Sequence, residues 1–402
     1  MSTTTNLSNS RRARYLEEYL QSAVMHRLYD QFSYAVSADK EKLQRMSSIV
    51  LNFLSDMDIE TTAISETVDI TPQVLIDATV SITGTSRRGA IQDSEKLLLE
   101  AYTPYAAERF AKIGKNMMLS VDELAKAAML QGALVSRAAA RASLDAGTAG
   151  NRLADSDFAA VEARLAALRV PTFIDGTDFA AGTPRWMALM GVEPYYDLRS
   201  SGNIDNIAIY QDKRILLNNE LGQLGQFRIV VSPFAKTFYG AGADNASSVD
   251  TTIATTAVEA LATTVTVAAN TNIAVGTRLA VGTEETANTF YPMNEYVEVT
   301  GIANDPIMDI VGQGPNGGFL YEHAIGESLR NADNVHTVAY GGPKSIAKVY
   351  ASEVGEYGEV VGPTLSGLAE QFVSIAWKWY GGYDRISEAW LLRGEYASSM
   401  DV

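Results

Sequence analysis

The chain has 402 residues, 47% of them apolar and 20% charged. That balance excludes wholesale disorder and a collagen-like fibre and leaves room for two or three domains. With 32 Lys and Arg against 48 Asp and Glu, the formal charge is -16, the opposite of what wrapping nucleic acid requires. There is no cysteine, so neither a disulfide framework nor a thiolate metal site is available, and three histidines are few for an enzyme.

Residues 1–14 are rich in Ser, Thr and Asn and then basic, without the apolar stretch of a secretory signal. No window approaches the roughly eighteen apolar residues of a bilayer span. A soluble product made in the cytosol is expected, with no membrane partner. From Arg14 onward, Leu16, Leu20, Val24 and Leu28 recur on one helical face, with Glu17, Glu18 and Gln21 opposite. Such a helix is marginal on its own and needs a surface to dock on. Residues 1–45 carry seven basic and five acidic side chains, the one sizeable stretch with a positive balance.

Residues 47–54 and 74–82 are β-branched and largely apolar, and the stretch between them is rich in Thr, Ser and acids. They read as two strands joined by a long excursion whose tip is too polar to pack on its own molecule. Arg87-Arg88-Gly89 reads as the turn that closes this region. Thr103-Pro104 is a helix start, with Thr as N-cap and Pro in the first turn. Residues 105–142 are dense in Ala, Leu, Met, Lys, Arg and Glu, and predict one long helix, bent at most near Gly114 or Ser120-Val-Asp-Glu123. A second helix is predicted over 157–168, capped by Asp155 or Ser156 and ended before Val170-Pro171.

Between 185 and 240 short apolar runs (186–191, 207–210, 227–231) alternate with turns, and 194–199 reads as a short helix, a mixed α+β pattern. Residues 243–343 differ in kind. Gly240 to Ser248 reads as a flexible lead-in and Gly341-Gly-Pro343 as a stiff exit. Inside, Thr- and Val-rich runs at 263–267, 278–281, 296–300, 307–311 and 335–340 predict a small all-β sandwich or barrel. Twelve acids against Arg278 and Arg330 give this stretch a net charge of -10, which leaves -6 for the remainder. Beyond it a helix is expected near 363–370. Two aromatic strands, 372–380 and 387–396, are expected around a Gly381-Gly382 turn.

The chemical motifs are thin. Gly312-Gln-Gly-Pro-Asn-Gly317 matches the dinucleotide pattern in letters, but Pro315 removes an amide and no helix follows, so it reads as a turn between strands. His323 beside Glu322 and Glu327 reads as a surface group, since metal ligation needs further ligands at set spacing and only His336 lies near. His26 reads as structural or interfacial. Neither a nucleophile elbow nor a phosphate loop is present, and acids such as Asp56, Asp58 and Glu60 cluster as on any acidic surface. No catalytic, metal or cofactor-binding residue is singled out. Arg11, Arg12, Arg14, Arg87 and Arg88 are the sharpest basic features, suited to pairing with an acidic neighbour or to phosphate.

Gly355-Glu-Tyr-Gly358, Trp377-Lys-Trp-Tyr-Gly-Gly-Tyr383 and Arg385-Ile-Ser-Glu-Ala-Trp-Leu-Leu-Arg-Gly-Glu-Tyr396 resemble the C-terminus of tailed-phage major capsid proteins of the N4-type family. Residues 187–199 and Asn218-Asn-Glu-Leu-Gly-Gln-Leu-Gly-Gln-Phe-Arg-Ile-Val-Val231 resemble that family's central segment. The resemblance implies an α+β, HK97-like capsid fold. Its parts would be an N-terminal arm (1–45), an extended loop or E-loop hairpin (46–95), and a peripheral domain with a long spine helix (96–184 and 372–402). An axial domain (185–242 and 344–371) and the inserted acidic β-domain (243–343) complete it. It further implies self-assembly into pentamers and hexamers of an icosahedral head around double-stranded DNA. Other copies would be the main partners, with portal, scaffold and decoration proteins beside them and packaged DNA on the inner face. Assembly would take place in the host bacterial cytoplasm, with the virion as final location, no cofactor and no enzymatic activity. Leu16, Leu20, Val24, Leu28, Arg87 and Arg88 are the candidate inter-subunit contacts. The acidic insertion is expected on the outside. The alternative is a surface-layer or adhesin-like binding protein that uses the β-domain, against which the missing export signal counts. An enzyme with an unusual carboxylate site is a third reading that no motif supports.

Overall fold

The computed structural model describes residues 28–38, 48–54, 77–94, 105–138, 141, 144, 148–173, 185–200, 220–241, 250–283, 291–366 and 372–401, apart from 272, 292, 305, 313, 331, 332 and 353. In chain order the strands are β1 (Ser33–Ala38), β2 (Ser48–Leu54), β3 (Asp77–Thr83), β4 (Thr85–Ser94), β5 (Val135–Ser136), β6 (Trp186–Met190), β7 (Glu220–Leu224), β8 (Phe227–Val231), β9 (Thr237–Ala241) and β10 (Asp250–Thr252). They continue as β11 (Thr264–Thr266), β12 (Arg278–Gly282), β13 (Glu295–Asn304), β14 (Ile307–Val311), β15 (Ser328–Arg330), β16 (Asp333–Gly341), β17 (Ile346–Ala351), β18 (Glu359–Ser366), β19 (Phe372–Arg385) and β20 (Leu391–Tyr396). The α-helices are α1 (Tyr105–Leu130), α2 (Asp155–Ala167) and α3 (Val192–Ser200). Contacts divide the described chain into two units. One holds Ser33–Ala125 and Ile346–Ile386, the other Leu28–Phe32, Lys126–Ser345 and Ser387–Val402.

The first unit is built on β19. Residues 372–378 of this strand pair with β18 and also with β4, so the strand is interior there, and its far end pairs with β17, which pairs in parallel with β1. Ile113, Met117 and Val121 recur every fourth residue along α1, with Met118 beside them, and bury this stripe against Ile375, Trp377 and Trp379. Gly114 and Ser120 lie inside the continuous helix, as the sequence predicted. The helix ends at Leu130, short of the expected 142. Downstream, Leu134 O accepts from Arg393 N and β5 pairs with β20, so sheet bonds override local helix propensity.

The strands expected at 47–54 and 74–82 form the antiparallel β2–β3 pair, and residues 55–76 lie outside the described residues. Ile49, Leu51, Val80 and Ile82 point inward onto Ala347 and Val349, so the base of this hairpin packs on its own chain. Arg87-Arg88-Gly89 is not a turn. It lies within β4, opposite Trp379, Lys378 and Trp377 of β19. Of the helix expected near 363–370, residues 363–366 are strand instead, the end of β18, whose register shift between Val361 and Thr364 accommodates Pro363; residues 367–370 lie outside the described residues.

Gly381-Gly382 makes no hairpin either. The strand runs straight through, because a Cβ at Gly381 would strike Val349 O and one at Gly382 would strike Thr83 O; the glycines permit close backbone approach. Consequently β20 leaves β19 and joins the other unit. Residues from Ile346 to Ile386 thus group with most of the long helix, and the chain from Ser387 onward groups with the mixed region.

In the second unit a seven-stranded sheet runs β5-β20-β16-β6-β8-β7, with β9 also on β16. Phe158, Val161 and Leu165 of α2 and Leu198 of α3 cover it, burying Trp186, Phe227 and Tyr340; Phe158, Phe227 and Tyr340 meet one another edge-on, and Trp186 lies tilted against Phe227. α2 starts at Asp155, so neither Asp155 nor Ser156 is its cap. Ala154 stands there and its N–H is held by the Asp157 carboxylate at 2.8 Å. The run at 207–210 lies outside the described residues.

The β-rich stretch forms a six-stranded sheet, β10-β15-β12-β13-β14-β11. Ala254 N donates to Thr266 O and Ala268 N to Thr252 O, which joins the two edges and closes a small barrel around Leu279, Val297, Val299 and Phe319. The expected fifth strand of this module, 335–340, is not part of it. It belongs to β16 and pairs with β6 and β20, because its residues are buried on both faces and suit an interior strand of the larger sheet.

Candidate functional site

Of the candidate contact residues, Leu16, Leu20 and Val24 lie outside the described residues, as does His26. Leu28 is half-buried just before the turn Tyr29–Phe32. Arg87 and Arg88 are exposed on β4. Side chains alternate across a strand, so Gly89 and Trp377 share the face toward α1, while Arg88 and Lys378 pair on the opposite face. On that outer face Ser86, Ala90, Gln92 and Ser374 lie around the Arg88–Lys378 pair, with Tyr380 opposite Ser86, and Lys378 also bonds Glu359 at 2.9 Å. It is therefore a sheet face carrying Arg88 and the Lys378–Glu359 ion pair, beside the two-stranded β2–β3 base. Its chemistry suits docking of an extended or acidic segment rather than catalysis.

Two ionic clusters were not legible in the sequence. In the second unit Glu395 is fully buried among three guanidiniums: Arg141 at 2.6 Å, Arg393 at 2.8 Å and Arg137 at 3.3 Å. Arg393 also caps the end of α1 through Leu130 O, and Arg141 lies 4.0 Å over the Phe238 ring. Burial would raise the Glu395 carboxyl, but the Arg141 hydrogen bond and the surrounding positive charge outweigh it and hold the group below the usual range. Arg393 is two residues from Glu395, but Arg137 and Arg141 lie over 250 residues away, so no local spacing announces the cluster.

The second cluster corrects the surface reading of His323, which is 1% exposed. Its Nε2 meets Glu295 Oε1 at 2.9 Å and its Nδ1 meets Glu327 Oε2 at 2.7 Å. Glu327 at i+4 was visible in the sequence; Glu295 comes from β13 and was not. His336 is likewise buried, in β16, with Nδ1 3.5 Å from Thr237 Oγ1 and 3.8 Å from Glu193. Gly312 to Gly317 is a turn, closed by Gly312 N to Gly317 O and Gly314 N to Gly318 O, as its sequence suggested. Among the described residues no group of three or more His, Cys, Asp or Glu is arranged to hold a metal ion, and no helix is long and apolar enough to cross a membrane.

No protein family profile and no curated protein matches the sequence. Solved structures do. A chain of the capsid of Ralstonia phage GP4 aligns over 93% of this chain and 92% of its own, with a TM-score of 0.57 at 9% identity. The fold is that of a phage capsid chain. Others align as fully but less closely: the Cyanophage Pam1 capsid asymmetric unit covers 93% of both chains with a TM-score of 0.48 at 10% identity. The likeness to GP4 therefore carries the assignment of fold, an α+β arrangement of few helices and many strands.

Proposed function

We propose that this chain is the major capsid protein of a tailed phage of the N4-type family, assembling as pentamers and hexamers into an icosahedral head around double-stranded DNA. The observation that carries the reading is the GP4 likeness, which spans more than nine tenths of both chains. The sequence resemblance in 187–231 and 355–396, in the same order along the chain, supports it.

A closed shell repeats a few interfaces under rotational symmetry, and each can be weak, about -4 kcal/mol at a millimolar constant, since ring closure multiplies them. The role needs no catalytic group. In this reading residues 1–45 act as an arm and 46–95 as a loop reaching toward a neighbour, with β2–β3 as its rooted base. The helix α1 with the β19 sheet forms the peripheral part, and the β16 sheet forms the axial part. The barrel stands outside the shell, where the -9 charge of residues 242–332 keeps particles apart. Leu16, Leu20, Val24, Leu28, Arg87 and Arg88 contact other copies; portal, scaffold and decoration proteins and the packaged DNA are the further partners, met in the host cytoplasm and retained in the virion.

Electron microscopy of the purified protein tests this. Shells or capsomer rings are expected, whereas uniformly dispersed monomers at high concentration and across salt conditions would overturn the reading.

A further inference from the structure

The barrel contains a histidine with a carboxylate on each ring nitrogen. A neutral imidazole has one N–H and one lone pair, so either tautomer would set a lone pair against a carboxylate oxygen at under 3 Å. Only the imidazolium donates to both. The same carboxylates hold the surrounding loop: Glu295 accepts from Leu320 N and Tyr321 N at 2.9–3.0 Å, and Glu327 accepts from Ala324 N at 3.3 Å. His323 backbone bonds to Val258 in both directions, and Phe319 meets the ring edge-on at 5.4 Å. The charged groups facing the ring are thus Glu295 from β13 and Glu327 from the turn into β15, with the exposed Glu259 and Glu322 at the margins.

We propose that His323 is a proton-dependent clasp: as the imidazolium it fastens the 319–327 loop to β13, and loss of its proton releases that loop from the barrel. This rests on the barrel itself and not on the capsid reading. Burial is the largest single influence on the ring and pushes its pKa down, but the hydrogen bonds and charges of Glu295 and Glu327 together outweigh it and hold the group above the ordinary histidine range. A pKa raised on folding gives stability that is complete below the ordinary value of about 6.5 and lost as pH rises through the folded value. The clasp is therefore closed in acidic solution and opens as pH rises through the folded value.

Hydrogen–deuterium exchange of the full chain from pH 6 to 9.5, corrected for intrinsic exchange, reads the peptides covering 319–327. Protection is expected to fall by up to about tenfold per pH unit between the ordinary and the folded pKa. Glu327→Gln, which keeps the barrel core and removes one charge, should move that fall to lower pH. His323→Gln should give low, pH-independent protection of the same loop. A flat corrected profile in the unaltered protein, or an unchanged profile in Glu327→Gln, would overturn the clasp.

Discussion

The indole of Trp377 occupies the space that a side chain at position 89 would need: a Cβ on Gly89 would lie 2.6 Å from Trp377 Nε1. The ring cannot simply swing away, because Nε1 donates to Asn116 Oδ1 of α1 at 3.0 Å. Gly89 is thus a packing position between β4, β19 and the long helix, and this explains why a sequence that reads as a turn is a strand.

Gly89→Ala should destabilise the first unit by about 1–3 kcal/mol through overpacking. Arg88→Ala, on the opposite face of the same strand, should stay within about 0.5 kcal/mol. Urea unfolding followed by tryptophan fluorescence distinguishes them; equal effects would mean that the β4–β19 packing is not as described.

Glu395→Gln leaves Arg137, Arg141 and Arg393 without their shared countercharge. Because the carboxylate is fully buried, removing one partner should cost about 3–5 kcal/mol, read as a lower denaturation midpoint of the second unit. In the unaltered protein its depressed pKa gives stability present above the ordinary carboxylate value and lost as pH falls through the folded one. The second unit's sheet should therefore weaken in acid, and Glu395→Gln should flatten that acid limb. A variant with the unaltered protein's acid profile would refute the assignment.

Charge reversal at two neighbouring positions of β4, Arg87→Glu with Arg88→Glu, should leave the fold intact, since both side chains are exposed. If these arginines meet another copy, the doubly reversed protein should remain dispersed under conditions where the unaltered protein forms shells. Light scattering checks assembly and circular dichroism checks folding on the same samples.

The barrel sits between two strands that are already neighbours: Ala241 of β9 pairs with Asp333 of β16. Replacing 242–332 with a short Gly-Asn turn should therefore preserve the seven-stranded sheet. The cost is the loss of tethers such as Tyr296 to Glu193 at 2.5 Å and Lys236 to the Tyr291 carbonyl at 2.5 Å. Soluble protein with protected β16 amides is expected, and collapse of that sheet in exchange experiments would show that the barrel is structurally required.

Periodicity and composition were enough for what depends on neighbours along the chain. The stripe at Ile113, Met117 and Val121, the paired strands at 48–54 and 77–83, the short helix at 192–200 and the Thr- and Val-rich barrel strands all follow from local pattern, as does the acidic balance of 243–343. The tertiary structure decided which strand pairs with which. Gly381-Gly382 has the composition of a turn and Pro363 that of a helix start, yet close approach to Val349 and Thr83 and a register shift against β19 make both strand. The distant partners, Arg137 and Arg141 for Glu395 and Glu295 for His323, were likewise out of reach, since a buried charge is matched by whatever the fold brings within about 3 Å, at any separation in sequence.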